Sequence, residues 1–134
     1  MKEFHVQIVE PEGKVFDGSV NALSVMTTEG RIGILAGHTD LFAPLGIGEL
    51  KLSFADGERR AACSGGFLSV SGGEVSIVAV SLEFSEDIDL ERAKKARERA
   101  ERAIAEKKDR AAVDAAKIKL ARALTRISVA EKRK

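Results

Sequence analysis

The sequence predicts an α+β fold, with an antiparallel β-sandwich of eight to ten strands at residues 1–85 and an antiparallel two-helix hairpin at residues 86–134. Three observations predict this division. All twelve Gly, both Pro and all six Phe precede residue 85, whereas Ala, Lys, Arg and Glu dominate the rest. The first segment carries 6 basic and 11 acidic side chains, and the second carries 16 and 10. Apolar periodicity also changes between the segments, which indicates an all-β module followed by an all-α module.

Alternating apolar and polar residues predict the strands of the first module. The clearest runs are Phe4 to Ile8, Leu23 to Val25, Leu50 to Phe54 and Val75 to Ala79. The segment 74–82 becomes apolar on both faces near its end, which predicts a central strand covered on both sides.

Five turn signals separate these runs at spacings typical of hairpins. They are Pro11-Glu12-Gly13, Asp17-Gly18, Glu29-Gly30, Asp56-Gly57 and Gly72-Gly73. The glycine-rich stretch from Gly30 to Gly37 lacks a phosphate-loop ending and a following helical pattern, so we expect loop glycines there.

Helical spacing characterises the second module. Acidic residues and Ser85 favour a helix start near residues 87–90. Two thin apolar stripes follow, separated at residues 107–109: Ala93, Ala96, Ala100, Ala103 and Ile104, then Val113, Ala116, Leu120, Leu124 and Ile127. Because an alanine seam buries little area, the hairpin is expected to be marginally stable, either as a two-state element or as a fixed appendage.

Several functional classes lack support in the sequence. The net charge of +1 provides no field for nucleic acid, and the helical module has no aromatic residue on which bases could stack. Cys63 is the single cysteine, expected to be a small core residue in a reducing compartment, and the two His residues have no partner at metal-ligand spacing. No leader peptide or apolar span is expected. We therefore expect a binding or coupling protein, not an enzyme.

Charged residues on the predicted helices form one candidate site. Asp89, Arg92 and Arg99 share a face of the first helix, and Arg122 and Arg126 share a face of the second. An antiparallel hairpin would bring them together. Two interpretations stay open: the arginines bind a polyphosphate, or Asp89 caps the helix while the arginines form a solvated face.

The run from Glu29 to Leu45 resembles the hallmark loop of the epsilon subunits of rotary F-type ATP synthases. Ser64-Gly65-Gly66-Phe67-Leu68-Ser69-Val70 is similar to a second signature of that family. The opening His5-Val6 with Pro11-Glu12-Gly13 and the ending Arg126-Ile127-Ser128-Val129-Ala130 extend the resemblance over the whole chain.

The resemblance implies a non-catalytic central-stalk subunit on the cytoplasmic face of a bacterial membrane, without insertion into the bilayer. The implied partners are the gamma subunit and the c-ring, with rotor contacts at Glu29, Arg31 and His38 in a loop at residues 29–45. It also implies that the basic helices can extend into the alpha and beta subunits of the catalytic head and inhibit ATP hydrolysis.

The run Ile88-Asp89-Leu90-Glu91-Arg92-Ala93 matches the motif of bacterial epsilon subunits that bind ATP in the folded hairpin. The resemblance implies that Glu83, Ile88, Asp89 and Ala93 surround the adenine. It places Arg92, Arg99, Arg122 and Arg126 around the ribose and phosphates, and leaves open whether magnesium accompanies the nucleotide. The alternatives are a stalk subunit with ATP-insensitive helices, and an unrelated β-sandwich adaptor whose basic helices bind an acidic protein or RNA.

Overall fold

A computed structural model describes residues 2–132, so Arg133 and Lys134 of the predicted basic end lie outside the described residues. The strands are β1 (Phe4–Glu10), β2 (Gly13–Val20), β3 (Ala22–Thr27), β4 (Gly30–Leu35), β5 (Leu41–Phe54), β6 (Gly57–Ser71), β7 (Glu74–Ala79) and β8 (Leu82–Phe84). A 3₁₀ turn at Ser85–Asp87 leads to helices α1 (Leu90–Glu106) and α2 (Arg110–Glu131). The predicted order of a β-sandwich followed by a helical hairpin is confirmed.

The strands pair in the order β2-β1-β7-β6-β5-β3-β4, and β8 pairs with β6. All pairs are antiparallel except β1 with β7, where Val6 lies opposite Val75 in a parallel ladder. A hairpin connection forces antiparallel pairing, but β1 and β7 are far apart in the chain and are free of that constraint. The sheet closes over one core.

Alternation places this core where the sequence predicts it. Every second residue of β3 and β7 is buried, as are Phe4, Val6 and Ile8 of β1. The largest fully buried side chains include Ile8, Leu23, Leu50, Leu68 and Ile77, which come from five different strands. Burial of these apolar side chains therefore holds the two layers of the sandwich together.

Two predictions about the strands, at Asp17-Gly18 and at residues 74–82, are wrong in detail. Asp17-Gly18 is no turn, because both residues pair with β1 inside β2, where the Phe16 ring covers Gly18. The segment 74–82 is central in strand order, but Val78 and Val80 are 52% and 61% exposed, so one face is uncovered.

The segment 29–45 is mostly strand and not loop. Strand β4 contains Gly30 and Gly33, which pair with Thr27 and Ser24 of β3. Only Gly37 of the predicted loop glycines lies in a turn, with a φ of 83°.

Both helices begin at capped N-termini. The Asp89 carboxylate accepts a hydrogen bond from the Arg92 backbone N–H at 3.1 Å, and Asp109 accepts one from Ala112 at 2.7 Å. Lys107 ends α1 in the left-handed conformation, so the predicted break at residues 107–109 is confirmed. The seam buries Ala93, Ala100, Ala116 and Ala123, whereas Leu124, assigned to the stripe by sequence, is 47% exposed.

The hairpin packs on the sandwich through a small second core. Ile88, Val129 and Ala130 bury their side chains against Ala62 of β6. Nearby, Glu49 of β5 accepts from Lys132 Nζ at 3.1 Å and from Arg60 Nη1 at 2.9 Å. Neither helix is long and apolar enough to cross a membrane.

Candidate functional site

Two adjoining cavities open along the seam between α1 and α2. The basal cavity, of about 280 Å³, lies nearest the sandwich, and its lining residues are Glu83, Asp89, Arg92, Ala93, Ala96, Arg99, Ala123 and Arg126. The apical cavity, of about 640 Å³, lies further along the helices. Its lining residues are Ala96, Arg99, Ala100, Ala103, Ala112, Ala115, Ala116, Lys119, Arg122, Ala123 and Arg126. Because the cavities share four residues, they form one continuous cleft.

Helix geometry places the charged groups in this cleft. Asp89, Arg92 and Arg99 follow one face of α1, while Arg122 and Arg126 follow one face of α2. The antiparallel packing sets the start of α1 beside the end of α2. Alanines between them take up little volume, and the resulting gap leaves room for a ligand.

Charge is distributed unevenly along the cleft. Both carboxylates of the lining, Glu83 and Asp89, lie in the basal cavity, and the apical cavity has only cations. The five cations of the cleft are Arg92, Arg99, Lys119, Arg122 and Arg126. Within residues 2–132 only Arg126 of these forms an ion pair, donating from Nε to Glu83 Oε1 at 3.2 Å. The cleft therefore favours an anion that presents a hydrogen-bond donor at its basal end.

A buried donor in the same cleft has no partner. Arg122 Nε is the one buried side-chain N or O atom of the described chain that makes no hydrogen bond. Such an atom costs free energy unless something else accepts from it, so native proteins seldom retain one without a reason. An anion in the cleft would supply the acceptor once the Arg122 side chain turned this nitrogen toward the cavity.

The structure brings most of the predicted ATP-binding residues together. Glu83, Asp89, Arg92, Ala93, Arg99 and Arg126 line the basal cavity. Arg122 lines only the apical cavity. Ile88 lines neither, because its side chain is 3% exposed and packs in the second core with Ala62, Val129 and Ala130.

The predicted ATP-binding set lacks eight lining residues, which are Lys119 and the seven alanines Ala96, Ala100, Ala103, Ala112, Ala115, Ala116 and Ala123. Ala96 and Ala123 line both cavities, and Lys119 lines the apical cavity. Lys119 precedes Arg122 by three residues and Arg126 by seven, so the same helical spacing that singled out the arginines could have found it.

The three predicted rotor contacts are spread along β4 and its two ends. Glu29 is exposed in the turn between β3 and β4, and His38 follows the opposite end of β4, so about 20 Å of strand separates them. Arg31 donates from Nη1 to Ser24 Oγ at 2.9 Å and lines a shallow cleft beside α2.

Two other chemically distinctive residues lie outside the cleft. Cys63 is buried in the sandwich core, and burial raises the pKa of its thiol to about 11, so it is a core residue as predicted. His5 contacts Asp17 and Glu74 on the outside of the sheet. Within residues 2–132, no cluster of three or more His, Cys, Asp or Glu side chains could bind a metal ion.

Comparison with known proteins identifies the family. Residues 3–85 match the model of the ATP synthase delta/epsilon chain beta-sandwich domain, and residues 86–131 match that of its long alpha-helix domain. The chain belongs to the ATP synthase delta/epsilon chain family. The unrelated-adaptor alternative is therefore wrong, and the chain is a structural or regulatory central-stalk subunit, not the catalytic chain.

Relatives match over nearly their whole length. The ATP synthase epsilon chain of Halalkalibacterium halodurans is 41% identical over 131 residues, covering 97% of this chain and 98% of the relative. That of Bacillus pumilus is 40% identical over 132 residues, covering 98% and 100%. The resemblance to bacterial F-type epsilon subunits is thereby confirmed.

Among solved structures, a chain of the Euglena gracilis mitochondrial ATP synthase, in a structure of OSCP, F1 and c-ring, has a TM-score of 0.79. It is 30% identical and covers 89% of this chain and 76% of its own. A chain from the Tetrahymena thermophila central stalk and c-ring has a TM-score of 0.61 at 17% identity, covering 96% and 97%, and shares the fold.

Proposed function

We propose that the chain couples the c-ring and gamma subunit to the catalytic head of a bacterial ATP synthase, and that ATP in the cleft holds its hairpin folded. The observation that supports ATP binding most directly is the unpartnered Arg122 Nε, buried in a cleft of cations. The proposal places the protein at the cytoplasmic face of the membrane.

The cleft suits ATP in one orientation. Glu83 and Asp89 offer acceptor oxygens in the basal cavity, where the adenine amino group could donate. The guanidinium groups suit the phosphate oxygens, because their planar forks donate two hydrogen bonds at once. Magnesium would arrive with the phosphates, since Glu83 already accepts from Arg126 and Asp89 caps α1.

Ligand binding could control the hairpin because its other attachments are few, namely the small second core around Ile88 and Val129 and a few partly exposed ion pairs. Exposed ion pairs contribute about 0.2–1 kcal/mol each, and the alanine seam buries little area. A ligand at 100 times its Kd stabilises the state it binds by about 2.7 kcal/mol. ATP binding could thus determine whether the folded or the extended hairpin predominates. When ATP is absent, the basic helices would extend along gamma toward the alpha and beta subunits and inhibit hydrolysis.

Isothermal titration of the full chain with ATP tests the site. We expect saturable binding that Asp89→Ala with Arg92→Ala abolishes. Arg102→Ala is the matched control, because Arg102 is exposed on α1 and lines neither cavity. Absence of binding to the unmodified chain would support the ATP-insensitive alternative.

Deletion of residues 86–134 tests the inhibitory role in the assembled enzyme. Hydrolysis should rise while gamma still co-purifies with the truncated chain, because the sandwich has its own core. Unchanged hydrolysis would leave a structural role alone.

An apolar patch on the sandwich is our candidate for the gamma contact. Phe42 and Phe67 stack with ring centroids 5.5 Å apart and are 67% and 50% exposed, with exposed Val78 opposite Phe67 on β7. Exposed apolar patches commonly mark interfaces between proteins.

Substitution in this patch separates the gamma contact from the cleft. Val78→Glu should reduce co-purification with gamma without changing ATP titration, whereas Ser76→Glu on the same exposed face is the control. Undiminished association of Val78→Glu would leave the c-ring side, with Glu29, Arg31 and His38, as the better candidate for the joint.

A further inference from the structure

The end of α2 docks on the sandwich through a carboxylate that it shares with another cation. Glu49 of β5 presents one oxygen to each: Oε1 accepts from Lys132 Nζ at 3.1 Å, and Oε2 accepts from Arg60 Nη1 at 2.9 Å. The Glu49 side chain is 16% exposed, whereas that of Lys132 is 47% exposed. Glu49 is therefore the sheltered side of this contact, and Lys132 reaches it from the hairpin.

The strand register places Glu49 beside the second core. Glu49 pairs with Ala62 across β5 and β6, and Ala62 belongs to the second core together with Val129 and Ala130 of α2. Directly opposed residues of antiparallel strands have their side chains on the same face of the sheet. The contact between Lys132 and Glu49 therefore forms and breaks with the docking of the last turn of α2.

The sandwich side of this joint is balanced in charge without the hairpin. Arg60 Nη2 also donates to Glu58 Oε1 at 2.6 Å, and Lys51 Nζ lies 3.8 Å from Glu58 Oε2. Within residues 2–132, these ion pairs join two cations, Lys51 and Arg60, to two carboxylates, Glu49 and Glu58. Docking of α2 adds Lys132 as a fifth, positive charge. Arg60 thus offsets the attraction that Glu49 exerts on Lys132, and it also repels Lys132 directly.

Release of α2 leaves no uncompensated charge at this joint. Removing one partner of a sheltered ion pair is costly when the other partner stays unpaired. Here Glu49 keeps Arg60 when Lys132 departs, and the half-exposed Lys132 ammonium is readily hydrated. The contact can therefore break and form again at little cost.

We infer that Arg60 sets how readily the end of α2 leaves the sandwich, because it shares Glu49 with Lys132 and thereby weakens their contact. Arg60 acts through Glu49 and is a positioning residue of the docked hairpin. Loss of Arg60 should therefore tighten the docking, although it removes an ion pair from the sandwich. The inference concerns the docking surface and does not depend on a nucleotide in the cleft.

Thiol labelling of Val129→Cys in the full chain, without nucleotide, measures the release. Val129 is fully buried in the second core, so a thiol reagent reaches the new cysteine only when the end of α2 undocks. The chain that has only the buried native Cys63 gives the background rate. Lys132→Met should speed labelling about 2-fold when Arg60 is present, and about 5-fold or more in the Arg60→Met background.

Two further variants should act in opposite directions. Arg60→Met alone should slow labelling, whereas Glu58→Gln should speed it, because Glu58→Gln leaves the sandwich side with an excess positive charge before Lys132 arrives. High salt should reduce both effects, which a purely structural role would not predict. Lys14→Met is the control, because it removes a cation of β2 that pairs with Asp17 outside this cluster, and it should leave the rate unchanged.

The labelling rates decide the inference in either direction. If Lys132→Met has the same or a smaller effect in the Arg60→Met background, Arg60 does not compete for Glu49 and the inference is wrong. Faster labelling of Arg60→Met would mean that Arg60 orients Glu49 for Lys132, which also overturns it. If circular dichroism shows that Arg60→Met unfolds, Glu58→Gln decides alone, and unchanged or slower labelling would refute the inference. Because nucleotide is absent throughout, each of these failures leaves the proposed ATP site standing.

Discussion

Arg126 Nε of α2 donates a hydrogen bond to Glu83 Oε1, 43 residues earlier in the chain, at 3.2 Å. Glu83 belongs to β8, the last strand of the sandwich, so this contact joins the hairpin to the sandwich. Both side chains also line the basal cavity. Docking of the hairpin and binding of a ligand therefore depend on some of the same atoms.

A double-mutant cycle with Glu83→Ala and Arg126→Ala measures this contact. Both side chains are about one-third exposed, at 37% and 31%, so we expect a coupling of about 0.2–1 kcal/mol that high salt reduces. Hydrogen exchange at the Ala123 amide, without nucleotide, reports the docking. The Arg97–Glu101 pair within α1 is the control, because its loss leaves the docking contact intact. Zero coupling at low salt would contradict the contact.

The turn of the hairpin provides a second prediction. Lys107 is the one non-glycine residue of the described chain with a positive φ, at 50°. Lys107→Gly should stabilise the hairpin by about 1 kcal/mol, because glycine adopts this conformation without steric cost. Glycine would also weaken a continuous helix through this position by about 1 kcal/mol. Both effects favour the folded hairpin.

Hydrogen exchange along α2 and inhibition of the assembled enzyme measure the effect of Lys107→Gly. Exchange should slow and inhibition should weaken. Lys108→Gly is the matched control, because Lys108 has no positive φ. Equal effects of the two substitutions would show that the left-handed residue does not set the balance.

Gly66 is the glycine of the sandwich at which an added Cβ would meet the closest contact. It has a φ of 125°, and a Cβ there would lie 2.0 Å from the Val78 carbonyl oxygen. Gly66→Ala should therefore lower the free energy of unfolding by about 3 kcal/mol, through backbone strain and a broken β6–β7 ladder. Thermal unfolding measures the loss. Gly33→Ala is the control, because nothing lies within 4 Å of its Cβ position, and equal losses would refute the explanation.

His5 provides a prediction for pH dependence. The side-chain hydrogen bond to Asp17, helped by Glu74, raises the pKa of His5 above its usual value of 6.5. A raised folded-state pKa means that protonated His5 stabilises the fold fully below pH 6.5, and that the contribution is lost as pH rises through the folded pKa.

Thermal unfolding at pH 5.5 and pH 8 tests the role of His5. The stability advantage of the unmodified chain over His5→Gln should be larger at the lower pH. Asp17→Asn should reduce this pH dependence because it removes the principal cause of the shift. If the stability advantage of the unmodified chain over His5→Gln grew with pH, protonated His5 would not be the stabilising form.

Local patterns were enough to predict the modules, most turns and the helix breaks. The β1 alternation and the Asp89 cap depend on neighbours within a few residues, which the sequence displays. Asp17-Gly18 failed because pairing with β1 overrides turn propensity. The exposed face at Val78 could not be predicted, because alternation does not state what covers the outer side of a sheet.

The candidate site shows the same limit. Helical spacing brought Asp89, Arg92 and Arg126 to one cleft, because an antiparallel hairpin has few ways to close. The burial of Ile88 in the second core depends on contacts with β6 and the end of α2. These segments are distant in the sequence, so the spacing of residues around Ile88 could not predict the contacts. Lys119 was overlooked although it shares the helical spacing of Arg122 and Arg126, so this omission was not forced by the sequence.

The parallel ladder between β1 and β7 affects the order in which the molecule can form. Val6 of β1 pairs with Val75 of β7, so the sheet cannot close until most of the sandwich has been synthesised. Pairing between strands so far apart in the chain is slow. Each helix needs only near neighbours and can form within about a microsecond. The helical hairpin can thus assemble quickly, but the sandwich surface on which it docks is complete only after the distant strands have paired.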